Sequence, residues 1–232
     1  MSSRGSTFAA FGTAVALLTL TACSSATTGT ASGPAGAVPA AAATSSPDAG
    51  APPGAEILGR PGVGEPFTLT IGATDTARPD EFEVIVEEVR CGEPLDPAVV
   101  AHAAESVGEP TPTPTPEGGK QYCVVALEVL NVGRSEAIWS AGDVVTLNVD
   151  DTAYSQSLAD ADHAYDYRQY WYSKGKASPS FGLNPGSTGP DFGIFQIPAD
   201  DEPTTVWVSS GTSLESFDGP EPGYLVQLTP TD

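Results

Sequence analysis

The chain has 232 residues, with nine Lys plus Arg against 30 Asp plus Glu and a formal net charge of −21. A charge of that sign repels phosphate and excludes nucleic-acid binding through a basic patch. The lack of several long apolar runs excludes a polytopic membrane protein. The 25 Gly and 22 Pro are about a fifth of the chain, against roughly 12% on average, so turn-rich structure is expected.

Residues 1–22 read as an export signal. Arg4 gives a positive start, and Phe8 to Leu20 is apolar and small, too short for a spanning helix. Leu20-Thr21-Ala22-Cys23 resembles the bacterial lipobox, a branched residue and two small ones before Cys. That resemblance implies acylation of the Cys23 thiol, cleavage before it, and a membrane anchor on the extracellular face of the cell. Acyl chains anchor at about 0.8 kcal/mol per buried CH₂. The alternative is an ordinary secretory signal with an incidental Cys.

Residues 23–58 read as a linker. Ser24 to Ala55 is Ala, Thr, Ser, Gly and Pro with a single acid, Asp48, and no aromatic residue. Such composition buries too little surface to offset ordering entropy, which predicts a disordered tether. About 32 such residues reach roughly 30 Å.

Residues 59–232 read as the folded domain. Phe67, Leu69 and Ile71 alternate with polar residues, as do Phe82, Val84 and Val86, although Ile85 and Val89 blur the phase. Pro97 to Val107 suits a short helix, with Pro at its start and Ala-rich content. Thr111 to Pro116 alternates Thr with Pro, so it must be extended and lacks every second N–H donor. Cys123, Val125, Leu127 and Val129 share one parity; Val144–Val149, Phe192–Ile197, Thr204–Ser209 and Tyr224–Leu228 complete the predicted strands. No long segment shows a clear 3.6-residue period. Seven or so short strands predict an all-β, antiparallel β-sandwich.

With Cys23 set aside, Cys91 and Cys123 are an even pair in an exported domain, which predicts a disulfide between two strand ends; free buried thiols are the alternative.

The stretch Gly118 to Gly133, with Leu183-Asn184-Pro185-Gly186 and Phe192 to Pro198, resembles the extracellular domain of Gram-positive lipoproteins catalogued as "telomeric repeat-binding factor 2-like". That domain has no assigned function and is related to a mycobacterial secreted immunoprotective antigen. The resemblance covers about Gly64 to Ser210 and implies an immunoglobulin-like sandwich on a lipid anchor. It brings no catalytic residues.

Candidate chemistry is sparse. The two His, His102 and His163, belong to no HExxH, and there is no GxSxG, CxxC or Walker loop. No enzyme activity and no cofactor are therefore expected. The unusual stretch is Asp160 to Tyr172. Asp160, Asp162 and Asp166 offer hard oxygen ligands to a cation, without the turn Gly and distal Glu of an EF-hand; a solvated acidic loop is the alternative. Tyr165, Tyr167, Tyr170, Trp171 and Tyr172 suit a contact surface for an envelope or extracellular protein or a glycan. The alternative has Tyr167, Tyr170 and Trp171 closing one end of the core. The chain thus reads as a surface lipoprotein displaying a binding domain, with a ligand-free envelope spacer and an extracellular hydrolase or metal-dependent enzyme as alternatives.

Overall fold

A computed structural model of the chain describes residues 49–71, 79–108 and 112–228. The segment read as an export signal, Cys23 and most of the span read as linker lie outside the described residues.

In chain order the strands are β1 (Ile57–Gly59), β2 (Phe67–Ile71), β3 (Asp80–Cys91) and β4 (Lys120–Asn131), with helix α1 (Pro97–Val107) between the last two. The single turn α2 (Ala141–Val144) leads into β5 (Val145–Val149) and β6 (Thr152–Tyr154). Helix α3 (Leu158–Ser173) and a 3₁₀ turn (Pro179–Phe181) precede β7 (Thr188–Pro198) and β8 (Thr205–Ser209). The small hairpin β9 (Glu215–Ser216) and β10 (Gly219–Pro220) precedes the last strand, β11 (Gly223–Gln227).

Two sheets form the sandwich, ordered β1-β11-β8-β5-β6 and β2-β3-β4-β7. All pairings are antiparallel except β1 with β11. The chain changes sheet between β1 and β2, between β4 and β5, between β6 and β7, and again between β7 and β8, the crossing path of an immunoglobulin-like sandwich. The core between the sheets is made by the predicted parities. Leu69, Phe82, Val84, Leu127, Val129 and Phe195 face Val145, Leu147, Val206, Val208 and Val226 across it.

The blurred phase in β3 has a physical cause. Its register with β4 shifts between Val86 and Glu88, a bulge that adds one residue. The inward parity therefore passes from Phe82, Val84 and Val86 to Val89 and Cys91, which pack against the same core. Cys91 and Cys123 are directly opposed across β3 and β4 and form a disulfide, with Cα atoms 4.1 Å apart. The adjacent ladder bond runs from Gly92 N–H to Tyr122 O, so the cysteines occupy a non-hydrogen-bonded pair, the closer type. In antibody domains the bridge joins the two sheets; here it joins neighbours within one and closes the connection that carries α1.

Strand β7 is a long edge, and its exposed side is blunted. Its even-numbered residues turn their N–H groups away from β4. Pro190 and Pro198 have none, Phe192 N–H donates to Asp191 Oδ1 (2.8 Å), and Ile194 N–H donates to Gln156 Oε1 (3.0 Å). Side chains thus occupy positions that another chain's strand would need.

Two expectations are corrected. Residues 158–173 are a helix of about four turns, where no long segment of helical period is expected from the sequence. Ser157 and Asp160 form a reciprocal capping box, no Gly or Pro interrupts the run, and Gly175 follows it at φ 82°. The folded region also starts before residue 59. Ile57–Gly59 is strand β1, inside the span read as linker, and Gly50 (φ 94°) lies so close to the β1-β11-β8-β5-β6 sheet that a Cβ there would overlap Thr205 Oγ1. Small residues that cannot build a core can still lie flat on the outer face of a sheet. The helix predicted over Pro97–Val107 is present, capped by Asp96 and ended by Gly108 in the left-handed region.

Candidate functional site

Helix α3 lies on the outer face of the β2-β3-β4-β7 sheet. Asp160, Ala164, Tyr167 and Trp171 recur at spacings of four, three and four, one helical stripe. Ala164 and Tyr167 join Leu95, Val99, Tyr122, Val124, Ala126, Phe192 and Ile194 in a second core, with Tyr170 and Trp171 packed at its margin. Strands β4 and β7 are therefore buried on both faces over Tyr122–Leu127 and Asp191–Phe195.

Tyr167 is anchored twice: its ring lies 5.1 Å from Phe192, and its hydroxyl accepts a hydrogen bond from Asp96 N–H (2.8 Å). Burial raises the Tyr167 pKa, opposed by that bond. Tyr170 meets Trp171 and His102 edge to face. Tyr167, Tyr170 and Trp171 thus pack in or beside an outer core and do not close an end of the sandwich.

The opposite face of α3 carries the other two. Tyr165 is 48% exposed and Tyr172 is 55% exposed. Phe181, 42% exposed, stands between them in T-shaped contact, 6.4 Å from Tyr165 and 5.4 Å from Tyr172. Gln169, one turn from each tyrosine, donates from Nε2 to Tyr165 Oη (2.7 Å). The rings brace one another and still present area to solvent. Sequence reasoning missed Phe181 and Gln169; the signal for Phe181 was an aromatic residue in the otherwise polar Ser178-Pro179-Ser180-Phe181-Gly182 run.

A buried ion pair sets the position of this face. Asp191 of β7 is fully buried and accepts from Arg168 Nη1 (3.3 Å), Ala141 N–H (2.9 Å) and Phe192 N–H (2.8 Å), with Ser180 Oγ at 3.5 Å. One carboxylate therefore ties α3, α2 and the turn bearing Phe181 to the sheet. Burial raises its pKa; the Arg168 guanidinium and the backbone donors pull the other way.

The three aspartates of α3 do not converge. Asp160 is buried and fully used: Oδ2 accepts from Ser157 N–H and Oγ–H, and Oδ1 accepts from Gln196 Nε2 (2.8 Å). Asp162 is exposed, and Asp166 faces His163 Nδ1 at 4.0 Å. Burial raises the Asp166 pKa, opposed by His163 and His102 and reinforced by Asp162. Among the described residues no group of three His, Cys, Asp or Glu side chains is placed to hold a metal ion. The expected cation site is thus replaced by a helix cap, a solvated acid and a weak His contact. His163 packs edge-on to Tyr122, so both histidines are ring-packing residues of the outer layer.

A cleft of about 470 Å³ lies on the outer face of the other sheet, where Ala49–Pro53 and Leu214–Glu215 pass over Thr146. Asp151 and Glu215 are its ionisable lining residues. Among the described residues no helix is long and apolar enough to cross a membrane.

No family model matches the chain, and no curated protein matches it. Among solved structures, a conserved hypothetical protein from Bacillus anthracis is similar over 62% of this chain and 90% of its own, at 20% identity and a TM-score of 0.39. An uncharacterized β-sandwich protein from Clostridium difficile 630 is similar over 75% of this chain and 96% of its own, at 13% identity and a TM-score of 0.38.

Proposed function

We propose that this protein is a lipid-anchored module of the bacterial cell surface, with the outer face of α3 as its binding surface for an envelope or extracellular protein or glycan. The observation that carries the reading is the braced trio Tyr165, Phe181 and Tyr172. Aromatic area held rigid before binding loses little conformational entropy on contact. The fold uses Tyr167, Tyr170 and Trp171 in packing and leaves this trio exposed. The lipobox at Cys23 and the resemblance to Gram-positive surface lipoproteins support the location.

The test is thermal unfolding of residues 49–232 against wall glycans, divalent ions and fractionated envelope proteins. A ligand that binds the folded state alone stabilises by about 2.7 kcal/mol at a hundredfold excess over Kd. The reading predicts a shift that is lost in the Tyr165→Ala/Tyr172→Ala/Phe181→Ala variant while its ligand-free melting is unchanged. A shift that survives the triple variant places the site elsewhere. No shift with any fraction favours the spacer.

A further inference from the structure

We propose that Thr113 and Thr115 are acceptors for O-linked sugar, making the connection between α1 and β4 a glycosylation site. This rests on the surface reading above, because export brings the chain to membrane-bound glycosyl donors.

The segment from Pro112 to Glu117 has two unlike faces. Pro114 and Pro116 are half-buried, whereas Thr113 and Thr115 are exposed. Pro114 borders a small hollow between the two helices, beside Val99, Ala103, His163 and Tyr167. The backbone is fixed at two further points: Tyr122 Oη–H donates to Thr115 O (3.1 Å), and Glu117 N–H donates to Gln196 Oε1 (2.7 Å). Pro114 and Pro116 are thus the docking face, while Pro112, Thr113 and Thr115 are exposed. Neither threonine hydroxyl has a hydrogen-bond partner among the described residues. That is unlike Thr204, whose hydroxyl accepts from Asp150 N–H.

Proline also prevents the segment from pairing as a strand or coiling as a helix. The acceptor oxygens therefore stand on a stiff, extended ridge that an enzyme cleft can straddle without unfolding the domain. Thr- and Pro-rich exported segments are a compositional signature of O-glycosylation. Beside the ridge lies a hollow of about 450 Å³, bordered by Glu93, Lys120 and Gln121, which gives room to a sugar attached there; Lys120 is itself paired with Glu117, and Gln121 Nε2 donates to Pro198 O and Asp201 O.

The step is a substitution at the anomeric carbon of a glycosyl phosphate donor. The threonine Oγ forms the new C–O bond, and the anomeric carbon–phosphate oxygen bond breaks. The phosphate leaves with the bonding pair, and the hydroxyl proton passes to a base of the transferase.

The experiment is peptide mass analysis, with electron-transfer fragmentation, of the full chain isolated from the organism that encodes it. After reduction and alkylation of the Cys91–Cys123 bridge, the tryptic peptide Cys91–Lys120 reports the sugar, and the peptide beginning at Cys23 reports the anchor. The proposal predicts hexose-sized additions localised to Thr113 or Thr115. They are lost in Thr113→Ala/Thr115→Ala, whose unfolding midpoint stays unchanged. An unmodified Cys91–Lys120 peptide overturns the proposal, whether or not Cys23 is acylated. Additions confined to the peptide beginning at Cys23 overturn it as well. An unacylated N-terminus with sugar at Thr113 or Thr115 rejects the anchor and leaves the acceptor site standing.

Discussion

Reducing the Cys91–Cys123 bridge removes a cross-link without removing an atom from the core, so it isolates one energetic effect. The bridged residues are 32 positions apart. In the chain-entropy model a closed loop of that length lowers unfolded-state entropy by about 12 cal/mol/K, or roughly 3.7 kcal/mol at 25 °C. Native losses should be small, because β3 and β4 remain paired along their length on both sides of the bulge and Cys123 stays buried. For a domain of this size the change corresponds to a fall in Tm of about 10 °C. The assay is urea unfolding of residues 49–232, oxidised and fully reduced, followed by tryptophan fluorescence. Trp139 and Trp207 report the sandwich, and Trp171 reports the outer layer. The expected result is a loss of about 3–4 kcal/mol. A midpoint unchanged after both thiols are shown to be free would refute the reasoning. Early loss of the Trp171 signal alone would show that the bridge holds the α1 connection and not the whole domain.

Tyr167→Phe leaves Asp96 N–H unpartnered at the start of α1 and should cost about 1–2 kcal/mol, whereas Tyr172→Ala should stay within about 0.5 kcal/mol in the same urea titration. Asp191→Ala strands Arg168, whose side chain is 10% exposed, along with two backbone donors. A loss of about 3–5 kcal/mol is expected, and Asp191→Asn, which keeps one acceptor oxygen and so can still serve Phe192 N–H with Arg168, or Ala141 N–H, but not all three, should lose less. Asp166 holds its proton more tightly in the fold than when unfolded, so its contribution to stability declines as pH rises from the ordinary carboxylate range through its raised pKa. Asp166→Asn should therefore raise the midpoint at pH 7, with the gain vanishing at pH values where the aspartate is protonated in both states. A gain of equal size at both extremes would assign the effect to packing.

Much of the sandwich is legible as alternation because one face of each strand meets the core. Phe67/Leu69/Ile71 and Phe82/Val84/Val86 are plain examples. The pairing of Cys91 with Cys123 and the Asp-Pro start of α1 follow from local chemistry. Helix α3 is hard to read for a physical reason: aromatic residues lie on both of its faces, and its buried stripe includes Asp160 and Ala164. Hydrophobicity therefore does not oscillate at the helical period, and aromatic density suggests strand or loop. A usable signal lay in β4. Tyr122, Val124 and Ala126 make its second face apolar in the first half, while Glu128 breaks that parity. An apolar outer face requires a cover, and α1 and α3 supply it. The same density of tyrosines marks the candidate site but does not sort it. Tyr165 and Tyr172 separate from Tyr167 and Tyr170 once the phase of α3 is known.

The most direct test of the account concerns the anchor, since a surface module must reach the surface. The measurement is metabolic labelling of the full chain with an alkyne palmitate in a Gram-positive host, followed by fractionation into membrane and soluble material. The account predicts labelled protein in the membrane fraction, and Cys23→Ala protein that is unlabelled and lost from the membrane. Unlabelled wild-type protein recovered in the soluble fraction would contradict it.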